Sequence, residues 1–203
     1  MVKLPIDLQG YTFQEGLSVL RTSFQCARRA LADMAEHTKS EAVKYQSSIE
    51  RGGDWIGEQD EDGYTLWDHV SVLEMRVKAA DEALMALRKA FVIALYHHWE
   101  RSVRLWTGSA DNANHCKLVS RARAKHLPID PKLVAIRDLV NTLKHDSDRS
   151  GNELLQSWGN VFRPGFQVFP ESTDWYEAVC LMDRHVLEAF DIVSASGPTP
   201  EVK

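Results

Sequence analysis

Residues 13–34 read FQEGLSVLRTSFQCARRALADM, and their apolar side chains recur at alternating steps of four and three residues. The members of this apolar stripe are Phe13, Leu17, Leu20, Phe24, Ala27, Leu31 and Met34. Such a repeat lines one edge of a helix with side chains that pack against a second helix. The stretch therefore predicts a long helix within a helical bundle. The pattern fades near Ser48, and Gly52-Gly53 is expected to end the helix.

A second long helix is predicted from Thr65 to about Trp106, because this stretch is rich in good helix formers and Gly108 follows it. Residues 52–63 between the two helices hold four glycines and five acidic residues, which predicts an acidic loop. Two long helices joined by a loop indicate an antiparallel helical hairpin.

The rest of the chain predicts shorter elements. Helices are expected at about 112–126 and at 131–145, the second with Asp130 as its N-cap and Pro131 as its first residue. A turn at 146–152, a short hairpin around 162–169 and a last helix capped by Ser172 or Thr173 follow. Residues 195–203 are expected to be a disordered tail. The predicted fold is an all-α antiparallel bundle forming a single domain over residues 1–203.

Composition limits the class of protein. The chain is 44% hydrophobic and 26% charged, as is typical of globular proteins, and it has no apolar run long enough to span a membrane. No secretory signal is visible at its N-terminus, so a cytoplasmic location is expected. Three distant cysteines without a Cys-x-x-Cys pair favour buried free thiols over disulfides or a zinc site.

Charge is distributed unevenly. The net charge is −5, yet residues 117–149 hold eight basic and four acidic side chains. This middle segment could attract phosphate, although a pair of solvated helices would show the same composition.

Residues 131–146 read PKLVAIRDLVNTLKHD, and a helical wheel separates their apolar and polar side chains. Arg137, Asn141, Lys144 and His145 fall within about 100° of arc on the polar side. These groups suit metal-free RNA cleavage: histidine moves protons near neutral pH, and the cations bind the phosphate. The alternative is an ordinary polar helix face with a histidine near its C-terminus.

With this helix late in a compact helical chain, the sequence resembles the HEPN superfamily of prokaryotic defence and toxin–antitoxin proteins. The resemblance rests on Arg137, Asn141, Lys144 and His145, and on the helical layout of about residues 65–194. It implies metal-independent endoribonuclease activity without a cofactor, with RNA as substrate, a homodimer with a composite site, and an antitoxin or other protein partner. Arg137 would bind phosphate, Asp138 would be the polar residue that follows it, and His145 would be catalytic.

The spacing leaves a second match open. Seven residues separate Arg137 from His145, one more than is usual in the family. Arg121 and His126 are separated by four residues, which is the family spacing, but Ala122 occupies the polar position. Arg137 and His145 are favoured because Asn141 and Lys144 share their face, whereas Arg121 and His126 remain the alternative pair.

An earlier helix offers further polar residues. Glu100 and Arg104 are the candidates to support the Arg/His motif from that helix. His97 and Glu100 have a His-x-x-Glu spacing that binds metal in some bundles, but no second copy is present, so no metal site is predicted. Two function classes therefore remain: an RNA-cleaving effector, or a non-catalytic interaction module or degenerate subunit whose apolar stripe packs against another chain.

Overall fold

The computed structural model describes residues 6–169 and 173–199. Over these ranges the chain is all-α apart from one small hairpin, which confirms the predicted fold class. The elements in order are α1 Ile6–Glu50, β1 Gly57–Gln59, β2 Thr65–Asp68, α2 His69–Thr107, α3 His115–Ala124, α4 Leu133–His145, α5 Asp148–Trp158, a 3-10 turn Gly159–Val161, α6 Trp175–Ala178 and α7 Asp183–Ser194. Within the described ranges, none of the helices combines the length and apolarity needed to cross a membrane.

The described residues form two compact units, one of residues 6–24, 88–169 and 173–199 and the other of residues 25–87. In the first unit, the Phe13 ring stacks on His98 and meets Trp106 edge-on, with centroids 5.2 and 5.1 Å apart. Further along α1, Phe24 contacts Phe91 at 5.4 Å. Because later residues of α1 meet earlier residues of α2, the two helices are antiparallel here.

The apolar stripe is buried only in part. Phe13, Leu17 and Phe24 are at most 4% exposed, so these members pack inside their own chain. Met34, by contrast, is 50% exposed, and Ala35 is buried instead. The assignment of Met34 to the buried edge was therefore wrong, because a straight helix has 3.6 residues per turn and drifts away from a strict heptad repeat.

The second unit contains the hairpin, which corrects the prediction for residues 52–68. Strand β1 lies inside the expected acidic loop and pairs antiparallel with β2, with Glu58 opposite Trp67. Residues 65–68 form β2 rather than the start of a helix, and α2 begins at His69. The Asp68 carboxylate accepts a hydrogen bond from the Ser71 amide at 2.7 Å, so it satisfies one of the free amides at the start of α2.

The predicted third and fourth helices are both present with slightly shorter bounds. Asn114 precedes α3, and its side chain accepts a hydrogen bond from the Lys117 amide at 3.0 Å. Asp130 accepts one from the Lys132 amide at 2.7 Å, although regular α4 starts only at Leu133. Helix α4 ends at the predicted residue, and the next residue, Asp146, adopts a left-handed backbone conformation with φ 45°.

Helix α5 replaces the turn that was predicted for residues 146–152. Ser147 has an extended backbone and its hydroxyl accepts a hydrogen bond from the Ser150 amide, so it acts as the N-cap of a helix starting at Asp148. Gly151 lies inside this helix against the buried ring of Trp175, and a Cβ atom placed there would overlap that ring. The glycine that suggested a turn therefore serves close packing between α5 and α6.

The C-terminal region also differs from its predictions. No hairpin forms at 162–169; a single antiparallel bridge joins Phe162 to Val179. The Cys180 amide donates to the Val161 carbonyl at 2.8 Å, and this extended contact divides the expected last helix into α6 and α7. Asp174 caps α6, in place of the predicted Thr173 or Ser172, the latter lying outside the described residues.

Residues 196–198 are buried, which corrects the prediction of a disordered tail from residue 195. The Trp99 indole N–H donates to the Ser196 carbonyl at 2.7 Å, and the Asp130 amide donates to the Ser196 hydroxyl at 3.1 Å. These bonds hold the end of α7 against α2 and the start of the α4 region. Residues 200–203 of the expected tail lie outside the described residues.

Candidate functional site

The polar face of α4 lines a cleft of about 530 Å³, which we call the main cleft. Arg137, Asn141, Lys144 and His145 all contribute to its wall. On the other side of α4, Ile136, Leu139 and Leu143 are buried. Leu133 and Val140 are buried as well, and Val140 also lines the main cleft between the two sides. The apolar side of the helix thus anchors it in the core and directs its polar side toward the cleft, as the wheel predicted.

Three other helices complete the main cleft. Helix α2 contributes Tyr96, His97 and Glu100; the start of α3 contributes Asn114, His115 and Cys116; the start of α5 contributes Ser147, Arg149, Ser150 and Glu153. The N-terminal ends of α3 and α5 therefore both border the cleft that holds the α4 cations. Free amides at helix N-termini and cationic side chains favour a bound anion.

Arg137 is held in place by its neighbour Asp138. The Arg137 Nε atom donates to Asp138 Oδ1 at 2.8 Å, and Nη2 donates to the same oxygen. Asp138 is 3% exposed, and its other oxygen accepts a hydrogen bond from the Ser157 hydroxyl at 3.2 Å. Burial alone would lower the pKa of Arg137, but the bond to Asp138 and the nearby carboxylates outweigh burial and raise it. Arg137 is thus a permanent, oriented cation.

A second carboxylate, that of Glu153, joins the cations of the cleft. Its oxygens lie 3.6 Å from Arg137 Nη2 and 3.1 Å from Arg149 Nε. Glu153 is partly exposed, so solvent screens these two pairs. The contact with Arg137 links α4 to α5. Because of both contacts, the positive charges of Arg137 and Arg149 are partly neutralised by Glu153 before any anion binds.

Tyr96, which is buried, and His115, which is half-buried, form a pair on the part of the main cleft that α2 and α3 supply. The Tyr96 hydroxyl and His115 Nδ1 are hydrogen-bonded at 2.9 Å. Burial, together with the positive charge of Arg137, lowers the pKa of His115 to about 4. Burial and the charge of Glu100 raise the pKa of Tyr96. Both groups are therefore neutral near pH 7, so the pair can offer hydrogen bonds to a ligand without adding charge.

Glu100 and Arg104, the predicted supporting residues, are linked to each other. Glu100 lines the main cleft and contacts His97 Nδ1 at 3.2 Å and Arg104 Nη2 at 3.6 Å. Arg104 also donates to the Ala113 carbonyl at 3.3 Å and does not line the main cleft. Glu100 is thus at the candidate site, whereas Arg104 positions it from outside.

Asn141, Lys144 and His145 have no side-chain hydrogen bond to any part of the chain that the structure describes. Lys144 and His145 are exposed, and Asn141 is half-buried. These three polar side chains are therefore available to a ligand in the main cleft, in contrast to the ion-paired Arg137.

The alternative pair, Arg121 and His126, lies elsewhere. Both side chains are exposed, and neither lines the main cleft. His126 follows α3 in a left-handed conformation with φ 58°. The structure thus gathers the Arg137 and His145 set in one cleft and leaves the alternative pair on the surface.

Histidine, cysteine and acidic side chains are the usual metal ligands of proteins. Among residues 6–169 and 173–199, no group of three or more His, Cys, Asp or Glu side chains is arranged to hold a metal ion. His97 and Glu100 contact each other instead. Cys26 and Cys116 are exposed and Cys180 is half-buried, so the prediction of buried thiols was wrong for the first two.

Several residues of the main cleft were missed by sequence reasoning, among them Tyr96, His115, Arg149 and Glu153. Each comes from a helix other than α4, and no spacing in the sequence relates them to Arg137. Asparagine is a common N-cap residue, so Asn114 could have been predicted to start α3. That prediction would have placed His115 in the first turn of the helix.

Comparison of the chain with protein-family models, with curated proteins and with solved structures gives no match.

Proposed function

We propose that this protein is a HEPN-like, metal-independent endoribonuclease, acting as the effector of a bacterial toxin–antitoxin or antiphage defence system. The observation that supports the proposal is the gathering of Arg137, Asn141, Lys144 and His145 along one cleft. The resemblance to the HEPN superfamily is the reason for proposing RNA as the substrate and a homodimer as the active form. It is also the reason for proposing an antitoxin or other protein partner and a cytoplasmic location.

The proposed reaction is attack of a ribose 2′-oxygen on the adjacent phosphorus. A bond from the 2′-oxygen to phosphorus forms, the bond from phosphorus to the 5′-oxygen breaks, and a 2′,3′-cyclic phosphate and a 5′-hydroxyl result. His145 accepts the proton of the attacking 2′-hydroxyl, and the resulting imidazolium gives a proton to the departing 5′-oxygen, because imidazole can both accept and donate near neutral pH. Arg137, oriented by Asp138, and Lys144 stabilise the charge that grows on the phosphate oxygens. Asn141 donates a hydrogen bond to the same group.

The distance along α4 between Arg137 and His145 limits the shape of the ligand that can contact both. Eight residue steps at about 1.5 Å each put Arg137 and His145 about 12 Å apart along the helix axis. Their side chains must reach toward each other to act on one phosphate. This separation favours a ligand that extends along α4, as a polynucleotide strand does.

A second candidate function is that of a non-catalytic HEPN subunit or interaction module. The contacts of Arg137 with both Asp138 and Glu153 favour this alternative, since a guanidinium already paired with carboxylates binds phosphate less strongly. The particular docking surface expected for such a module, the apolar stripe, is occupied at Phe13, Leu17 and Phe24 by the chain's own core.

The two functions are separated by a cleavage assay with matched variants. Purified wild-type protein is incubated with RNA in EDTA, alongside Arg137→Ala and His145→Ala and the controls Arg121→Ala and His126→Ala. We expect the first two variants to lose about 100-fold or more of the rate, as is usual for catalytic groups, and both controls to keep it. Equal activity in all five proteins, or none in wild type, would contradict the proposal.

A further inference from the structure

A second cleft, of about 550 Å³, lies beside the main cleft and shares three wall residues with it. The shared residues are His115, Cys116 and Arg137. We call it the side cleft. Because Arg137 borders both spaces, the side cleft is the space next to any phosphate that contacts Arg137 in the main cleft.

The walls of the side cleft differ in character from those of the main cleft. Val119, Ile129, Pro131, Leu133 and Val134 give it an apolar lining, and Val134 is 39% exposed. Ser120 and Arg123 add polar groups on the α3 side. Apolar walls with a few polar groups suit a planar ring with polar edges, whereas a bare phosphate gains nothing from such walls.

Charge in the side cleft also fits such a ligand. Its acidic residue is Asp130, whose carboxylate already accepts the Lys132 amide. Arg123 is exposed on α3, and its planar guanidinium can stack on a base or contact a flanking phosphate. Arg121 lies on the same helix and is exposed too, but it does not line the side cleft.

We propose that the side cleft is a nucleobase subsite that holds the base next to the phosphate bound at Arg137. This inference rests on the proposed RNA-binding function of the main cleft. A base can enter the side cleft only when it is neither paired nor stacked within a duplex. The ligand is therefore an unpaired strand that spans both clefts.

Binding of RNA that cannot be cleaved tests this proposal. The probes are fluorescent 2′-O-methyl RNAs: a single-stranded decamer and the same decamer in a duplex. Fluorescence anisotropy is measured with wild type, with Ser120→Trp, which fills the side cleft from an exposed position, and with Arg123→Ala. Arg121→Ala is the matched control for the loss of a positive charge on α3.

We expect wild type to bind the single-stranded decamer at least about tenfold more tightly than the duplex. Ser120→Trp and Arg123→Ala should each weaken that binding by about fivefold or more, the smallest effect usual for loss of base stacking. Arg121→Ala should stay within about twofold of wild type. Circular dichroism checks that each variant is folded.

Three results would overturn the nucleobase subsite: no binding of the decamer by wild type, equal binding of duplex and single strand, or unchanged binding by both Ser120→Trp and Arg123→Ala. The assay involves no cleavage, so its outcome is separate from the test of catalysis. A protein that binds as described but never cleaves RNA would refute the proposed reaction and leave the subsite standing.

Discussion

The contact between Gly151 and Trp175 supports a quantitative prediction for Gly151→Ala. The Trp175 ring is fully buried, packs edge-on against Phe162 and Phe166, and donates through its indole N–H to Asp148 at 2.7 Å. A Cβ atom at position 151 would overlap this ring. The ring must move, because a Cβ methyl group is fixed to the helix backbone and cannot rotate away from it.

The size of the effect follows from three contributions. Overpacking a well-filled core costs about 1–3 kcal/mol. Displacing the indole weakens a hydrogen bond to a carboxylate, which contributes about 1.5–3 kcal/mol. Alanine returns about 1 kcal/mol through its better helix propensity. We therefore expect Gly151→Ala to lower the free energy of unfolding by about 1.5–5 kcal/mol.

Urea denaturation followed by circular dichroism measures this change, and Gly159→Ala is its control. Gly159 is at the other end of α5 with φ −57°, and a Cβ there would meet only a Leu155 methyl group at 3.8 Å. We expect the control to match wild type within about 0.5 kcal/mol or to exceed it slightly. Equal stability of the two variants would refute the packing argument for α5 and α6.

Three further perturbations have expected outcomes. Asp138→Asn keeps a hydrogen-bond acceptor for Arg137 but removes the charge, so we expect the free energy of unfolding, measured by urea denaturation, to fall by about 1–2 kcal/mol. An unchanged denaturation midpoint would show that this pair does not stabilise the fold. His115 has its pKa lowered to about 4 by burial and by the charge of Arg137. The unfolded chain therefore binds a proton that the native state does not, and wild type should lose stability relative to His115→Gln as pH falls from about 6.5 to 4; parallel curves for the two proteins would rule this out. Ser196→Ala removes the acceptor of the Asp130 amide, so we expect the free energy of unfolding to fall by about 1–2 kcal/mol. A denaturation midpoint equal to that of wild type would mean that this bond does not hold residues 196–198 in place.

Much of the fold could be predicted because α1, α2 and α4 are long, periodic helices with strong local signals. The failures are at shorter elements. Gly151 suggested a turn, but the same residue allows Trp175 to pack closely on a helix. The strand at residues 65–68 was missed because its pairing with β1 depends on contacts across the hairpin. Residues 196–198 were assigned to a tail because their burial depends on bonds to Trp99 and Asp130.

The candidate site could be predicted along α4 and, outside it, only at Glu100 of α2. Helical geometry places Arg137 and His145 on one face without knowledge of the rest of the fold. The part of the cleft formed by α2 and α3 could not be predicted in this way, because Tyr96 and His115 come together only where these two helices meet. The burial that makes His115 neutral is likewise a property of the folded chain.

The chemistry of the cleaved ends is the most direct test of the central claim, that the main cleft cleaves RNA by attack of the 2′-hydroxyl without metal. Wild-type protein is incubated in EDTA with an RNA oligonucleotide, and the products are analysed by mass spectrometry beside the same oligonucleotide with 2′-deoxy sugars. The claim predicts 2′,3′-cyclic phosphate and 5′-hydroxyl ends from RNA, no cleavage of the deoxy strand, and loss of both products in His145→Ala. Intact RNA in EDTA, or cleavage of the deoxy strand, would contradict it.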